Sequence, residues 1–418
     1  MTNEVTVQER ISWNIVVIGT LSLFVDSWDM YLLSYVLVDI SKAFNVTLAV
    51  AASTLLFTYL TRWFGALLIG GLANRIGRKN SLMVAIGIVG IFTILTGQAQ
   101  SFQMLILIRL CFGIGMGGVY SAAGPFVSES VSSRRRGLVS GIFMLGFGLG
   151  ITVAPLTYYL LYNSVGWRGL FLFGGLSLLL IPYIYFTSSE SSVWLAQKEK
   201  TKNAPKIEKK NSNPLWKLFA PGFLGITLAL IAIELGEFFN SYPFGNLLPT
   251  YLKTVRHFPI ESVALAGTVM GIGNMVGTVL SGWVSDHIGR KRTYRIAYIV
   301  GLFPVIFAMF TNSINVIVVA GACEGLIQGG LGGLMTAYEN EHYPTELRAA
   351  GHGFVHNLAA LGGPVGTVLA AFLHNTIGFA WSISAIVILG SVLGLIGLCF
   401  TRETRGISLL AAGESSNI

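Results

Sequence analysis

Long apolar segments, each about the length of a bilayer-spanning helix, follow one another along almost the whole chain. A helix that crosses the hydrocarbon core of a membrane needs about 20 mostly apolar residues. Measured against that length, the chain divides into twelve apolar spans separated by shorter polar stretches. The predicted spans are 13–38, 49–72, 80–98, 102–124, 137–162, 167–187, 219–250, 262–284, 293–311, 315–338, 350–374 and 380–400. This pattern predicts an all-α membrane protein with twelve transmembrane helices.

The composition excludes an ordinary soluble fold. Of 418 residues, 53% are hydrophobic and only 11% are charged, whereas soluble domains carry about 25% charged residues. A single water-soluble core could not bury so much apolar surface, but a bilayer removes the need for a charged exterior. The lipid bilayer is therefore an expected partner of this chain.

The longest polar segment lies in the middle of the sequence and separates two sets of six spans. It is rich in Lys, Glu, Asn and Pro, which is typical of a linker. We therefore expect an N-terminal bundle over 1–188, a cytoplasmic linker over 189–217, a C-terminal bundle over 218–404 and a cytoplasmic tail over 405–418.

The two halves repeat a polar motif at matching positions. Gly71-Leu-Ala-Asn-Arg-Ile-Gly-Arg-Lys79 follows the second span, and Gly282-Trp-Val-Ser-Asp-His-Ile-Gly-Arg-Lys291 follows the eighth. After the fourth and tenth spans, Glu129 with Arg136 recurs as Glu341 with Arg348. This repetition predicts an internal duplication, with two six-helix bundles related by a pseudo-two-fold axis.

Basic residues predict how the chain is oriented in the membrane. With the N-terminus in the cytoplasm, nearly all of the 27 lysines and arginines fall on the cytoplasmic side. Those on the opposite side or inside apolar spans are Lys42, Arg62, Arg109, Arg168, Lys253 and Arg256. Both termini are therefore expected in the cytoplasm, and the net charge of +8 needs no nucleic-acid partner to explain it.

Taken together, these motifs resemble the signatures of the major facilitator superfamily. The two polar loops are similar to its G-x-x-x-D-R-x-G-R-[RK] motif, and Arg109-x-x-x-Gly113-x-Gly115-x-Gly117 resembles its fourth-helix motif. The segments that begin at Glu190, Glu341 and Arg402 resemble endings found in its sugar, metabolite and organic-acid branches. The resemblance implies a monomeric cell-membrane carrier that works by alternating access around a site lined by helices one, four, seven and ten.

The loop motif is expected to form a cytoplasmic gate, in which Gly allows close helix approach and the acid pairs with a base. Asn74 replaces the acid in the first copy, so any ion pair there should be weakened or absent. The alternative role is to fix topology by charge alone. The gate residues are Gly71, Asn74, Arg75, Gly77, Arg78, Gly282, Asp286, Gly289, Arg290, Glu129, Arg136, Glu341 and Arg348.

Seven ionisable residues lie inside apolar spans, where each would cost about 2.5–3.5 kcal/mol if it faced lipid. They must therefore face one another or a water-filled cavity. The candidates for proton coupling are Asp26, Asp29, Arg109, Glu234, Glu237 and Glu324. Asp26 and Asp29 share one helix face, and Asp26-Ser-Trp-Asp29 is similar to the D-G-x-D pattern of organic-acid symporters. Glu324 is expected to occupy the place of Arg109 in the repeat.

Arg109 and Arg62 each leave two interpretations open. Arg109 could serve proton transfer or anion binding, or it could be a structural partner of a first-helix aspartate. Arg62 could bind a substrate carboxylate through two parallel hydrogen bonds, or it could pair with an acid. The candidates for substrate binding are Arg62, Tyr59, Trp28, Tyr31, Asn240, Tyr242, Asn246, His356 and Asn357; for His356 a packing role is an equal alternative.

These features favour proton-coupled symport of a small organic anion such as a carboxylate. A proton-coupled sugar transporter and a drug/proton efflux antiporter are the alternatives, although the seventh span, Glu234-Leu-Gly-Glu-Phe-Phe-Asn-Ser, lacks the paired glutamines typical of sugar porters. No metal-ligand spacing, nucleophile elbow or phosphate loop is present in the sequence. We therefore expect no enzyme activity, no metal site and no cofactor, with protons and a small anionic molecule as ligands.

Overall fold

The computed structural model describes residues 12–131, 136–203, 217–344 and 347–405. Over these ranges the chain forms α-helices and one short 3-10 segment, Gly175–Leu179, with no strand. The helices are α1 Trp13–Tyr35, α2 Leu37–Ala43, α3 Leu48–Ile76, α4 Arg78–Gln98, α5 Phe102–Glu129, α6 Arg136–Gly174, α7 Leu180–Thr187, α8 Ser192–Asn203, α9 Pro221–Thr254, α10 Ile260–Ile288, α11 Arg290–Val300, α12 Leu302–Phe310, α13 Ile314–Asn340, α14 Arg348–Ala360, α15 Gly362–Ile377 and α16 Phe379–Cys399.

In these ranges, 11 helical segments are long and apolar enough to cross a membrane. One of them, Val139–Thr187, has 49 residues, which at about 1.5 Å per residue is more than twice the thickness of a bilayer core. It reverses at Gly166, whose φ of 64° and ψ of 178° are not helical. This segment supplies two crossings, which gives the twelve predicted, and the expected fold class is confirmed.

Two predicted spans are each built from two helices in sequence. The ninth span consists of α11 and α12, which meet at Gly301. Pro304 lies three residues later and cannot donate the backbone hydrogen bond that a continuous helix requires. The eleventh consists of α14 and α15, which meet at Leu361, also three residues before a proline. A local break at a proline therefore leaves the length of each span unchanged.

The chain folds into two compact units, residues 1–33 with 57–208, and residues 34–56 with 209–418. The last two residues of α1, all of α2 and the start of α3 therefore group with the second unit. The predicted bundle, linker and tail boundaries remain predictions.

Glycines in the predicted motifs allow pairs of helices to touch through their backbones. A Cβ atom on Gly117 of α5 would lie 1.9 Å from the carbonyl oxygen of Arg62 on α3, and one on Gly329 of α13 would lie 1.9 Å from that of Asn274 on α10. Membrane helices commonly use small residues for such contacts. This packing brings α3 against α5, where the first candidate site lies.

Candidate functional site

A buried ion pair forms the centre of the first unit. Arg109 Nη1 on α5 lies 2.6 Å from Asp29 Oδ1 on α1, and both side chains are 0% exposed. Thr93 on α4 donates to the second carboxylate oxygen of Asp29 at 3.0 Å, and Arg109 Nε donates to Thr58 on α3 at 3.3 Å. Four helices thus supply one polar network, in which Arg109 pairs with Asp29; its role in proton transfer or anion binding stays a prediction.

The surroundings of this pair compensate the cost of removing two charges from water. The Arg109 guanidinium lies 4.1 Å from the centre of the Phe112 ring, a distance at which the ring face attracts a cation. Its second terminal nitrogen donates to the sulfur of Met30 at 3.5 Å. Buried charges are stable only when both charge and hydrogen-bonding capacity are matched in this way, so Asp29 and Arg109 act as one unit.

Asp26 lies one turn earlier on α1 and differs from Asp29 in its partners. Its side chain is also buried, but no donor in the described ranges makes a hydrogen bond to its Oδ1. Arg62, Asp29 and Arg109 all interact with it electrostatically. Asp26 is therefore an incompletely hydrogen-bonded carboxylate beside two guanidinium groups, which is the arrangement of a group that can gain or lose a proton.

Arg62 is the more accessible of the two arginines. It is only partly buried, and its guanidinium lies 5.4 Å from the ring centre of Tyr59 and 5.9 Å from that of Tyr120. Contact with two aromatic faces holds the planar group in place. Tyr120, on α5, did not stand out in the sequence because the chain contains 15 tyrosines.

The other aromatic candidates of α1 make contacts within the unit. The Trp28 indole N–H donates to Thr157 at 3.0 Å, and the Tyr31 ring meets the Phe147 ring edge-on at 6.1 Å. These contacts join α1 to α6. Substrate contact by Trp28 and Tyr31 stays a prediction.

The second unit contains a separate group of buried titratable side chains. The carboxylates of Glu234 on α9 and Glu339 on α13 lie with the imidazole of His352 on α14 so that their nearest ligand atoms are all within 4.8 Å of one another. His356 Nδ1 lies 3.6 Å from Glu234 Oε2, and Glu237 is buried on the turn after Glu234.

The sequence reading missed two members of this group. Glu339 lies just beyond the predicted end of the tenth span, and His352 has no distinctive neighbours, although its four-residue spacing from His356 was a usable signal. The expectation that the chain contains no metal-ligand cluster relied on spacing along the sequence, and these residues come from three different helices.

Glu324 on α13 is another buried carboxylate of the second unit. It is 1% exposed, and neither of its oxygens receives a hydrogen bond from the described part of the chain. The placement of Glu324 opposite Arg109 in the repeat was wrong. The contacts of Gly117 and Gly329 match at an offset of 212 residues, which aligns Arg109 with Gly321 and leaves Glu324 one turn further along.

The polar candidates of the second unit mostly join helices within it. Asn240 donates to Ser391 at 2.6 Å and Asn246 donates to Thr367 at 3.1 Å. Asn357 donates to a backbone carbonyl one turn earlier in its own helix. The Tyr242 ring lies 5.2 Å from that of Phe238. These contacts assign each residue a structural partner, and substrate binding by them remains a prediction.

The polar loop of the first unit is held by two glutamates. Arg78 pairs with Glu129 at 3.1 Å and donates to Asn74 Oδ1 at 2.8 Å. Glu190 Oε1 accepts from the backbone N–H groups of Arg78 at 2.8 Å and Lys79 at 3.1 Å, which places a negative charge at the N-terminus of α4. Because residue 74 is an asparagine, its contact with Arg78 is a charge-assisted hydrogen bond to a neutral amide rather than an ion pair.

The second unit repeats this arrangement with the missing acid present. Arg290 lies 3.1 Å from Glu341 and 2.9 Å from Asp286, while Glu403 Oε1 accepts from the backbone N–H of Arg290 at 2.8 Å. Burial raises the pKa of Glu403, but four backbone N–H groups that donate to it together lower its pKa below the ordinary value. Sequence reasoning placed neither Glu190 nor Glu403 in the loop network, although their segments resembled family motifs.

Glycine has a defined role at two positions of these loops. Gly77 and Gly289 have φ of 105° and 103°, a region that disfavours side chains, and each precedes the helix that Glu190 or Glu403 caps. By contrast, a Cβ on Gly71 or Gly282 would meet no described atom within 4 Å, so close helix approach at those two positions was wrong. Arg75 is exposed; the side chains of Arg136 and Arg348 lie outside the described part of the chain.

Comparison with known proteins agrees with this architecture. The sialic acid transporter NanX of Escherichia coli is 29% identical over 376 residues, covering 88% of this chain and 89% of that protein. The cis,cis-muconate transport protein of Acinetobacter baylyi is 28% identical over 407 residues, covering 92% and 93%. A solved bacterial homologue of the human lysosomal transporter Spinster, inward-facing and occupied, shares the fold with a TM-score of 0.70 at 16% identity over 96% of both chains.

The sequence model of the Major Facilitator Superfamily matches residues 19–278 and 234–415. These two matches cover both units, including the buried ion pair and both polar loops. The relatives are transporters rather than enzymes. The chain therefore belongs to the Major Facilitator Superfamily and is a multi-pass membrane transporter of a small molecule.

Proposed function

We propose that this protein carries a small organic acid across the cell membrane by proton-coupled symport. The observation that carries the proposal is the buried Asp29–Arg109 pair with Asp26 and the accessible Arg62 beside it. Two carboxylates and two guanidinium groups in one poorly hydrated place can take up a proton when an anionic ligand arrives. Alternating access is the transport cycle that membership of the family suggests.

An anionic substrate is supported by Arg62. Its guanidinium lies against two aromatic rings, and a planar guanidinium matches a carboxylate through two parallel N–H groups. Relatives at 24–29% identity carry names that specify sialic acid, muconate and 4-hydroxybenzoate, each of which has a carboxylate group. A carboxylic acid is thus the substrate class that fits both observations.

Proton coupling is supported by the charge balance of the first unit. Two carboxylates and two guanidiniums are mutually compensated, and a carboxylate substrate would add one further negative charge. A proton on Asp26, whose Oδ1 receives no hydrogen bond within the described ranges, would restore that balance before the loaded carrier reorients. Carrying a net charge through a low-dielectric region costs several kcal/mol, so the proton and the anion should move together.

The remaining features of the proposal follow from charge placement. The excess of basic residues on one side of the spans favours a cell-membrane carrier with both termini in the cytoplasm. Nothing in the mechanism requires a second copy of the chain, and we propose a monomer. Glu234, Glu237 and Glu324 are secondary candidates for coupling, because they are buried carboxylates in the other unit.

Uptake into proteoliposomes tests the proposal. Labelled carboxylates, sugars and organic cations should be supplied with and without an inward proton gradient. We expect gradient-stimulated uptake of a carboxylate, loss of accumulation in Asp29→Asn and Asp26→Asn, and normal accumulation in Glu261→Gln, which changes an exposed glutamate. Accumulation of a sugar, extrusion of a cation, or unimpaired accumulation in Asp29→Asn would overturn it.

A further inference from the structure

A second polar centre, separate from the Asp29–Arg109 pair, lies among three helices of the second unit. Glu234 on α9, Glu339 on α13 and His352 on α14 present ligand atoms that are all within 4.8 Å of one another. The two glutamates are 1% and 2% exposed. Three converging ligands from three helices, with almost no access to solvent in the unit, are more than helix packing requires.

Hydrogen bonding leaves several oxygens of this centre unfilled. His352 Nδ1 bonds to Glu339 Oε2, but the other oxygen of Glu339 and both oxygens of Glu234 receive no hydrogen bond within the described ranges. His356 Nδ1 is 3.6 Å from Glu234 Oε2, and the Glu234 carboxyl group also interacts with that of Glu339. Adjacent buried carboxylates without enough donors cost several kcal/mol, and a cation held between them would remove that cost.

The donor atoms have the separations that a metal ion requires. Zinc ligands at about 2.0–2.2 Å in a tetrahedron lie about 3.4 Å from each other. The 3.6 Å between His356 Nδ1 and Glu234 Oε2 is close to this value, and the ligand atoms of Glu234, Glu339 and His352 all lie within 4.8 Å of one another. A cation among Glu234, Glu339 and His352 could therefore contact these three side chains, with His356 beside Glu234.

The two histidines are arranged as in many metal sites. His352 and His356 are four residues apart on α14, and their rings are nearly parallel at 5.9 Å. Two histidines at this spacing project from one helix face and can bind the same ion. Mixed imidazole and carboxylate donors favour divalent transition metals such as zinc over magnesium, calcium or sodium, which prefer oxygen ligands alone.

We propose that Glu234, Glu339 and His352, with His356 as a fourth donor, bind one divalent transition-metal ion. Glu237 is also buried and lies on the next turn of α9. The bound ion links α9, α13 and α14. This proposal does not depend on the identity of the transported substrate or on proton coupling, and its test does not involve transport.

The first test is zinc binding to the full-length protein in detergent after removal of metal with a chelator. We expect one tightly bound equivalent and a rise in Tm on its addition. Changes next to metal ligands alone weaken binding about 10–100-fold, so Glu339→Gln and His352→Ala should weaken it at least about 100-fold. His374→Ala, outside the cluster, is the matched control and should bind as the native protein does.

A second variant keeps the proposal testable if those substitutions disturb folding. His352→Cys retains a metal ligand, and cobalt bound there should give a thiolate-to-metal absorption band that the native protein with its three cysteines lacks. Native protein that binds no stoichiometric zinc would overturn the proposal and leave the cluster as a group that holds protons only. Equal zinc affinity in the native protein and His352→Ala, or a cobalt complex of His352→Cys without the band, would overturn it as well.

Discussion

Replacing Arg109 with methionine removes the positive partner of a carboxylate that is completely buried. At 2.6 Å, two unit charges attract each other by about 6 kcal/mol in an effective dielectric of about 20. Much of this attraction is offset by the cost of taking both charges out of water. After the substitution, the Asp29 carboxylate remains buried without a counter-charge, so its desolvation cost is no longer compensated. We therefore expect the free energy of unfolding to fall by about 3–5 kcal/mol.

The same reasoning predicts how a double substitution behaves. Asp29→Asn should also destabilise the protein by about 3–5 kcal/mol, because Arg109 is left buried without a counter-charge. In the double variant neither charge remains, so its loss should be no larger than that of either single variant. The expected coupling between the two sites is therefore about 3 kcal/mol or more, at the upper end of measured pairwise couplings.

Denaturant unfolding of the four proteins in one detergent measures this cycle, and proteoliposome uptake of the proposed carboxylate accompanies it. The double variant should fold well yet fail to accumulate substrate. If the two single losses add in the double variant to within about 0.5 kcal/mol, Asp29 and Arg109 do not act as a unit. A stable, fully active Arg109→Met protein would refute the reasoning altogether.

Three further predictions concern the loops and the helix contacts. Glu403→Gln should lower Tm at pH 7, and the difference in Tm from the native protein should shrink as pH falls. The reason is that a carboxylate with a lowered pKa contributes stability above its unfolded pKa of about 4.3 and loses it as pH falls through the folded pKa. A difference in Tm that does not change with pH would contradict this. Gly329→Ala should abolish recovery of folded protein in size-exclusion chromatography, since its Cβ would lie 1.9 Å from a backbone oxygen, whereas Gly353→Ala, in open space, should be recovered normally. Asn74→Asp should add an ion pair to Arg78 worth about 0.2–1 kcal/mol at this exposed site, seen as a small rise in Tm that disappears at high salt; a rise that salt leaves unchanged would rule out the ion pair.

The site was only partly predictable from the sequence. Asp26, Asp29, Arg62 and Arg109 could be identified singly because each is a charge inside an apolar span, where charges are rarely tolerated without a function. Their pairing was not predictable, since a charge pattern does not tell which of two arginines meets which aspartate. Glu339 was missed because it lies where a span ends, and there a charge is unremarkable.

The repeat was predictable from the sequence, but the residue-by-residue alignment of the two halves was correct at some positions and wrong at others. The loop motifs aligned Arg78 with Arg290 correctly, since each motif contains several matching residues. Glu324 was aligned with Arg109 on chemical contrast alone, and the structure assigns it to the following turn. One turn of helix changes the direction of a side chain only slightly, so periodicity could not exclude that error.

By itself the sequence determined the membrane class, the number of crossings and the positions of the loop motifs. The physical reason is that a bilayer imposes one length and one polarity on every crossing, and both are local properties of the chain. Only the tertiary structure decided that Asp29 holds Arg109, that Glu190 and Glu403 cap the helices after the loops, and that Glu234 meets Glu339 and His352. Those contacts join residues from different helices, and whether a buried charge finds its partner depends on how the helices pack against one another.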